Sequence, residues 1–154
     1  MPKVDLALVP RRVGSAFYPS PFKERAAGRA KYALGNTNGL TQFGVNLTQL
    51  PPGNWSSERH WHTEEDEFVY MLSGEIILIE DDGETLLKAG DCAAFPKGSG
   101  NGHHLINRGS EPAVYLEIGS RIASDTVHYS DVDLHLHSKA KGFTRKDGTP
   151  YGKG

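Results

Sequence analysis

Hydrophobic and polar residues alternate along most of this chain with a period of two, the spacing that sends every second side chain of a β-strand to the same face. The segments that follow it are 30–34, 41–50, 55–62, 67–72, 75–80, 85–88, 91–95, 103–107 and 113–122. Between them lies turn chemistry: Gly35-Asn-Thr-Asn-Gly39, Pro51-Pro-Gly53, Ser73-Gly74, Asp81-Asp-Gly83, Ala89-Gly90 and Arg108-Gly109. Short strands with a turn about every 8–12 residues and no intervening helices predict an antiparallel sandwich or barrel. An early strand is expected at 4–9 and a helix-like patch at 22–30, weakened by Gly28. After Ile122 the alternation fades into Asp/Ser/His-rich sequence with a turn at Asp147-Gly-Thr-Pro150. The expected organisation is one domain: an N-terminal arm and first strands over 1–40, a barrel core over 41–122 and a C-terminal arm over 123–154.

The densest run of ligand-type residues lies inside the predicted core, between Gly53 and Gly74. His60 and His62, two apart on a strand, present both imidazoles to one side, about 7 Å apart along the backbone. After a polar turn Glu67 opens the next strand, and hairpin pairing returns its carboxylate beside them. An N,N,O corner of this kind suits a borderline divalent metal and leaves coordination positions open. His103 is the expected fourth ligand, brought in across a closed sheet from roughly forty residues away.

These residues resemble the cupin family. Its first motif is matched by His60-x-His62, four residues, Glu67, six residues and Gly74, with the opening Gly53 one residue further upstream than usual. Its second is matched by Gly90, Pro96, Gly98, His103 and Asn107, with a two-residue insertion within Ser99-Gly-Asn-Gly102 that enlarges a loop at the barrel rim. The resemblance covers about residues 41–122 and implies an all-β double-stranded β-helix, or jelly-roll, barrel with irregular arms. It implies one divalent metal (Zn, Mn, Fe or Ni) held by His60, His62, Glu67 and His103, in a pocket lined by Val69, Met71 and Leu105. The flanks look like those of short bacterial stand-alone cupins, some of which carry a sugar-phosphate-isomerase label. Three uses of such a site follow: Lewis-acid chemistry of the isomerase type, oxygen activation as in a dioxygenase, and non-catalytic small-molecule binding or sensing. The first is the leading expectation.

Other residues have plainer readings. Glu58, Glu64, Glu65 and Asp66 read as a solvated acidic turn, with the alternative that one of them orients an imidazole; Asp66 also rivals Glu67 as a ligand, without its spacing to Gly74. Alternation sends His104 away from His103. His135 and His137 read as polar arm residues, and His128 has no evident partner. Arg59, Lys97 and Arg121 read as surface or structural charges, and Cys92 as a buried small residue. Trp61, Phe68, Tyr70 and Leu72 oppose the ligand side and predict a homodimer contact, or a face covered by the arm residues Phe17, Tyr18 and Phe22.

Composition narrows the function. With 154 residues, 37% hydrophobic, the chain supports one core. It has no apolar run near the ~20 residues of a membrane helix. The N-terminus lacks a secretion-signal pattern and there is one cysteine, which together point to the cytoplasm. A net charge of −2, with the basic stretch confined to 139–146, argues against nucleic acid and for a small-molecule ligand.

Overall fold

The computed structural model describes residues 2–15 and 17–152. In chain order the strands are β1 (Arg11–Val13), β2 (Ala30–Ala33), β3 (Phe43–Leu50), β4 (His60–His62), β5 (Glu67–Ser73), β6 (Glu75–Glu80) and β7 (Gly83–Lys88). They continue as β8 (Cys92–Phe95), β9 (His104–Ile106), β10 (Ala113–Ser120), β11 (Val127–Tyr129), β12 (His135–Leu136) and β13 (Phe143–Thr144). All pairings are antiparallel. One sheet has the order β1-β2-β3-β10-β5-β8, a second β7-β6-β9, and a third β13-β12-β11-β4. This is the jelly-roll architecture that the alternation and the resemblance predicted.

The first two sheets close on a core of inward side chains: Leu50, Val69, Met71, Phe95, Ala113 and Tyr115 from one, Ile76, Leu78, Leu87 and Leu105 from the other. Along β5 the parity is clean, with Val69 and Met71 buried and Tyr70 and Leu72 exposed. Each fully buried aliphatic side chain contributes about 1.5–3 kcal/mol. Gly74 lets the chain turn from β5 into β6. Its φ is +77°, and a Cβ there would stand 2.6 Å from the Pro112 carbonyl oxygen.

A second apolar cluster joins the two ends of the chain. Phe22 packs with Val127, Tyr129 and Leu134, flanked by Tyr18, Leu136, Phe143 and Tyr151. The C-terminal segment therefore forms short strands that hydrogen-bond to β4, the strand carrying His60 and His62.

Three local expectations are corrected. The stretch 4–9 is not a strand; Asp5 caps a 3-10 turn at Leu6–Leu8 by accepting from the Ala7 N–H, and the strand starts at Arg11. The predicted strand over 55–62 is regular only at His60–His62, because Ser56 Oγ takes the Leu105 N–H and Trp55 makes only an isolated bridge to Ile106. The helix-like patch is a 3-10 segment, Phe22–Ala26. Among the described residues, no helix is long and apolar enough to cross a membrane.

Asn107 locks the end of β9. It is fully buried; its amide donates to the carbonyls of Leu50 and Glu111 at 2.8 Å, and its Oδ1 accepts from the Gly109 N–H. Asn107→Ala leaves the buried Leu50 carbonyl without a donor, at a cost of about 1–3 kcal/mol, and removes two further bonds at the exposed Glu111 and Gly109, where water can substitute. The expected result is a loss of about 2–4 kcal/mol in urea unfolding; a change below about 0.5 kcal/mol would refute this role.

Candidate metal centre

β4, β5 and the residue just ahead of β9 bring four side chains to one point, although the expected hairpin does not form. β4 pairs with β11 and β5 with β10 and β8, so Glu67 meets the imidazoles from a different sheet. Glu67 Oε1 lies 2.7 Å from His62 Nε2, 3.3 Å from His60 Nε2 and 3.5 Å from His103 Nε2. His60, His62 and Glu67 form a compact group able to hold an ion, and His103 closes it, bridged to His60 by backbone hydrogen bonds in both directions. His103 lies flat against Phe95, with ring centroids 3.6 Å apart. Its neighbour His104 points elsewhere: Nδ1 donates to the Ser57 carbonyl, and the ring meets Trp55 edge-on.

The nitrogens are aimed by groups behind them. His60 Nδ1 lies 2.8 Å from the Glu58 carbonyl oxygen, and His62 Nδ1 lies 2.6 Å from Asp125 Oδ2. Both partners accept, so each Nδ1 carries its proton and each Nε2 turns a lone pair toward Glu67. Glu67 Oε1 is buried and has no hydrogen-bond donor from backbone or hydroxyl. Lone pairs facing a carboxylate oxygen repel unless a cation stands between them. Donors about 2.1 Å from a common ion are about 3.0–3.4 Å apart, close to the spacings here. The four residues thus fit a divalent ion.

In the ion's absence a proton serves. Burial opposes a charge on His62, but hydrogen bonds and attraction to Glu67 and Asp125 outweigh it and raise its pKa to about 9. His103 moves the other way: burial lowers it, and repulsion from the His60 and His62 charges adds to this against the pull of Glu67. Burial alone would raise Glu67, yet its attraction to the imidazoles around it, once they carry a proton, holds it well below the ordinary carboxylate value.

The acidic turn differs from its expected solvated state. Glu58 is buried and paired with Arg25 at 2.9 Å, and Glu65 is buried with its carboxylate accepting from the Ile122 N–H. Asp66 faces outward and accepts from the Lys97 N–H. Glu65 stands 3.6 Å from His62 Nδ1, as the alternative reading of the turn allowed. The carboxylate within hydrogen-bond distance of that nitrogen, however, is Asp125, which also accepts from the N–H groups of Glu64 and Glu65. Its separation of 63 residues from His62 left no local signal. Arg59 is structural, bound to Asp131, Asp81 and the Gly102 carbonyl. Cys92 is exposed, because the parity of β8 turns it outward beside Tyr70.

The donors open on a cavity of about 20 Å³, lined by Ser56, Ser57, Val69, Phe95, Leu105, Tyr115 and Glu117 besides His60, His103 and Glu67. That volume holds one water-sized group, so the cavity has to widen before the end of a larger molecule can enter it. Met71 lies deeper, in the core. Tyr115 Oη is buried without a partner. Glu117 is bound to Lys31 at 2.8 Å; burial opposes its charge, but Lys31 prevails and keeps its pKa below the ordinary value. A charged residue on the inward parity of an apolar strand was a signal available in the sequence, at Glu117.

A double-stranded β-helix with an inward His/Glu cluster able to hold a metal ion is the class of structure seen here, and comparison with known proteins finds the same barrel. The Cupin domain family model (Cupin_2) matches residues 46–119. A crystal structure of a sugar phosphate isomerase from a cupin superfamily, from Silicibacter pomeroyi, aligns with a TM-score of 0.92 and 47% identity over 98% of this chain and 97% of that one. A putative sugar phosphate isomerase from Acidithiobacillus ferrooxidans aligns with a TM-score of 0.71 and 34% identity, over 77% and 75%. The oxalate decarboxylase of Bacillus subtilis is 36% identical over 94 residues, 58% of this chain, which spans only 22% of that protein's length. The chain belongs to the cupin superfamily.

Proton and metal compete for His62 Nε2, so pH acts on them in opposite senses. The folded metal-free protein holds its proton up to about pH 9, the unfolded chain only to 6.5. That stabilisation is complete below 6.5 and lost as pH rises through about 9. Metal affinity should rise about tenfold per pH unit over the same window, with about one proton released per ion. Calorimetry at pH 7.5 in two buffers of different ionisation enthalpy measures that proton; a value of zero would contradict the arrangement.

Proposed function

We propose that the protein is a metal-dependent enzyme of the isomerase type, acting on the hydroxycarbonyl end of a small sugar-like substrate, with His60, His62, Glu67 and His103 as the ligands of one divalent ion. One observation carries this reading: the cavity that the metal-type donors open on is also lined by an ionised carboxylate, Glu117, and a buried phenol with no partner, Tyr115. A bound ion supplies Lewis acidity that polarises a carbonyl oxygen.

The chain's own residues supply the remaining parts. Glu117, kept ionised by Lys31, accepts the proton from the hydroxyl-bearing carbon beside the carbonyl and returns it to the former carbonyl carbon. The substrate's hydroxyl proton passes to the former carbonyl oxygen, so no atom is gained or lost. Tyr115 stays protonated because burial pushes its pKa far up, so its hydroxyl donates a hydrogen bond to a substrate oxygen. Val69, Phe95 and Leu105 exclude bulk water. No lysine or arginine lines the cavity, so a phosphate carried by the substrate stays outside it. The similarity to two proteins named as sugar phosphate isomerases, one of them putatively, supports the reaction class.

We also propose that two copies pair through the outer face of the six-stranded sheet. Phe43, Tyr70 and Leu72 are 41–45% exposed there, beside Phe68 and Ile118. Trp61 is not part of this face; it stacks on His128 in the third sheet. Tyr18 and Phe22 do not cover it either, since both pack against the C-terminal strands, while Phe17 is exposed. Exposed apolar surface of this kind is typically buried in a two-fold contact.

Exchange of deuterium from solvent into three- to six-carbon hydroxyaldehydes and ketones, followed by NMR on metal-reconstituted protein, tests the activity. Glu117→Gln should slow exchange by about 10²–10⁴-fold at unchanged metal content. Wild-type protein inert with every metal, or a Glu117→Gln variant as fast as wild type, would refute the reading. For the pairing, light scattering at micromolar concentration should give a dimer mass that Tyr70→Glu converts to monomer without loss of fold; a monomeric wild type would end that proposal.

A further inference from the structure

The third sheet carries a second set of imidazoles on the face turned away from Glu67. On β4, His60 and His62 point inward, so Trp61 points outward. Its register partner on β11 is His128, whose partner on β12 is His135. Directly opposed residues of neighbouring strands share a face, so Trp61, His128 and His135 form a row across three strands. His137 lies two residues beyond His135.

The rings are close. His128 stacks on Trp61 with centroids 4.5 Å apart and planes at 19°, which holds one imidazole in place. His128 and His135 have centroids 5.1 Å apart, the same separation as His60 and His62 in the barrel. Two imidazoles on one tetrahedral ion, with metal–nitrogen bonds of about 2.1 Å, place their centroids about 5 Å apart. His137 stands 6.1 Å from His135 and is exposed, so a rotation of its ring would be needed to bring a nitrogen to an ion shared with the other two.

We propose that His128, His135 and His137 form a second divalent-metal site, on the surface and distinct from the barrel centre. Three imidazoles without a carboxylate select the later first-row ions, copper, nickel and zinc, over magnesium, calcium or manganese. An ion bound there ties β12 to β11, which is itself hydrogen-bonded to β4. It clasps the C-terminal segment onto the strand that bears His60 and His62 and leaves their ligand face untouched.

Zinc and nickel stoichiometry, measured by equilibrium dialysis with elemental analysis, tests this on the full chain. Wild type should hold two equivalents, His135→Ala one, and His60→Ala/His62→Ala one. Adding His128→Ala and His135→Ala to that last variant should remove the remaining ion. A second readout does not depend on the barrel variants folding. With the barrel preloaded with zinc, one further equivalent of Cu(II) should quench the fluorescence of Trp61 against His128, and His135→Ala should weaken the copper affinity at least tenfold. Equal stoichiometry in wild type and His135→Ala, or quenching that is unchanged in His135→Ala or saturates only at millimolar copper, would overturn the proposal.

Discussion

A buried carboxylate faced only by imidazole nitrogens organises this molecule. Glu67 Oε1 sits at the mouth of β5 with three Nε2 atoms within 3.5 Å and no backbone or hydroxyl donor to satisfy it. Such a group is costly to keep ionised inside a protein unless a positive charge accompanies it. Both available charges, a proton on His62 and a divalent ion, occupy the same space between the same atoms. The stability of the metal-free protein, and any affinity the proposed site has for a divalent ion, would therefore draw on one electrostatic deficit.

Much of the surrounding structure serves to hold that cluster. Glu58 turns its carbonyl to His60, and its side chain is anchored by Arg25 of the N-terminal 3-10 segment. Asp125, just ahead of β11, fixes His62 and caps the acidic turn. The aromatic cluster of Phe22, Tyr129 and Leu134 holds both ends of the chain behind β4. The arms are thus the supports that fix which nitrogen of each imidazole carries a proton and where its lone pair points.

The outer surfaces differ in the same physical way. The six-stranded sheet turns aromatic and aliphatic side chains outward, whereas the sheet built on β4 turns outward Trp61 and three histidines. One face is apolar and the other is rich in imidazoles. Both follow from the parity that sends Val69 and the ligand histidines inward.

Local pattern alone located most of the strands along the chain and gave the inward parity of β5 and the shared face of His60 and His62, because period-two alternation is a short-range consequence of backbone geometry. The order of strands in the sheets, and the approach of Glu67 to those imidazoles from a different sheet, were decided by the tertiary structure. The separation of His103 from His104 was also legible, since adjacent strand residues face opposite ways. Only the tertiary structure decided what stands behind those ligands. Asp125 and His62 are 63 residues apart, and Glu58 and Arg25 are 33 apart, so no window of sequence contains either pair. For the same reason Glu58 and Glu65 looked solvated: an acidic residue in a polar turn is exposed by default, and only the return of the arms buries them. The row of Trp61, His128 and His135 likewise exists only through the register of three strands, which the spacing of histidines in the chain does not encode.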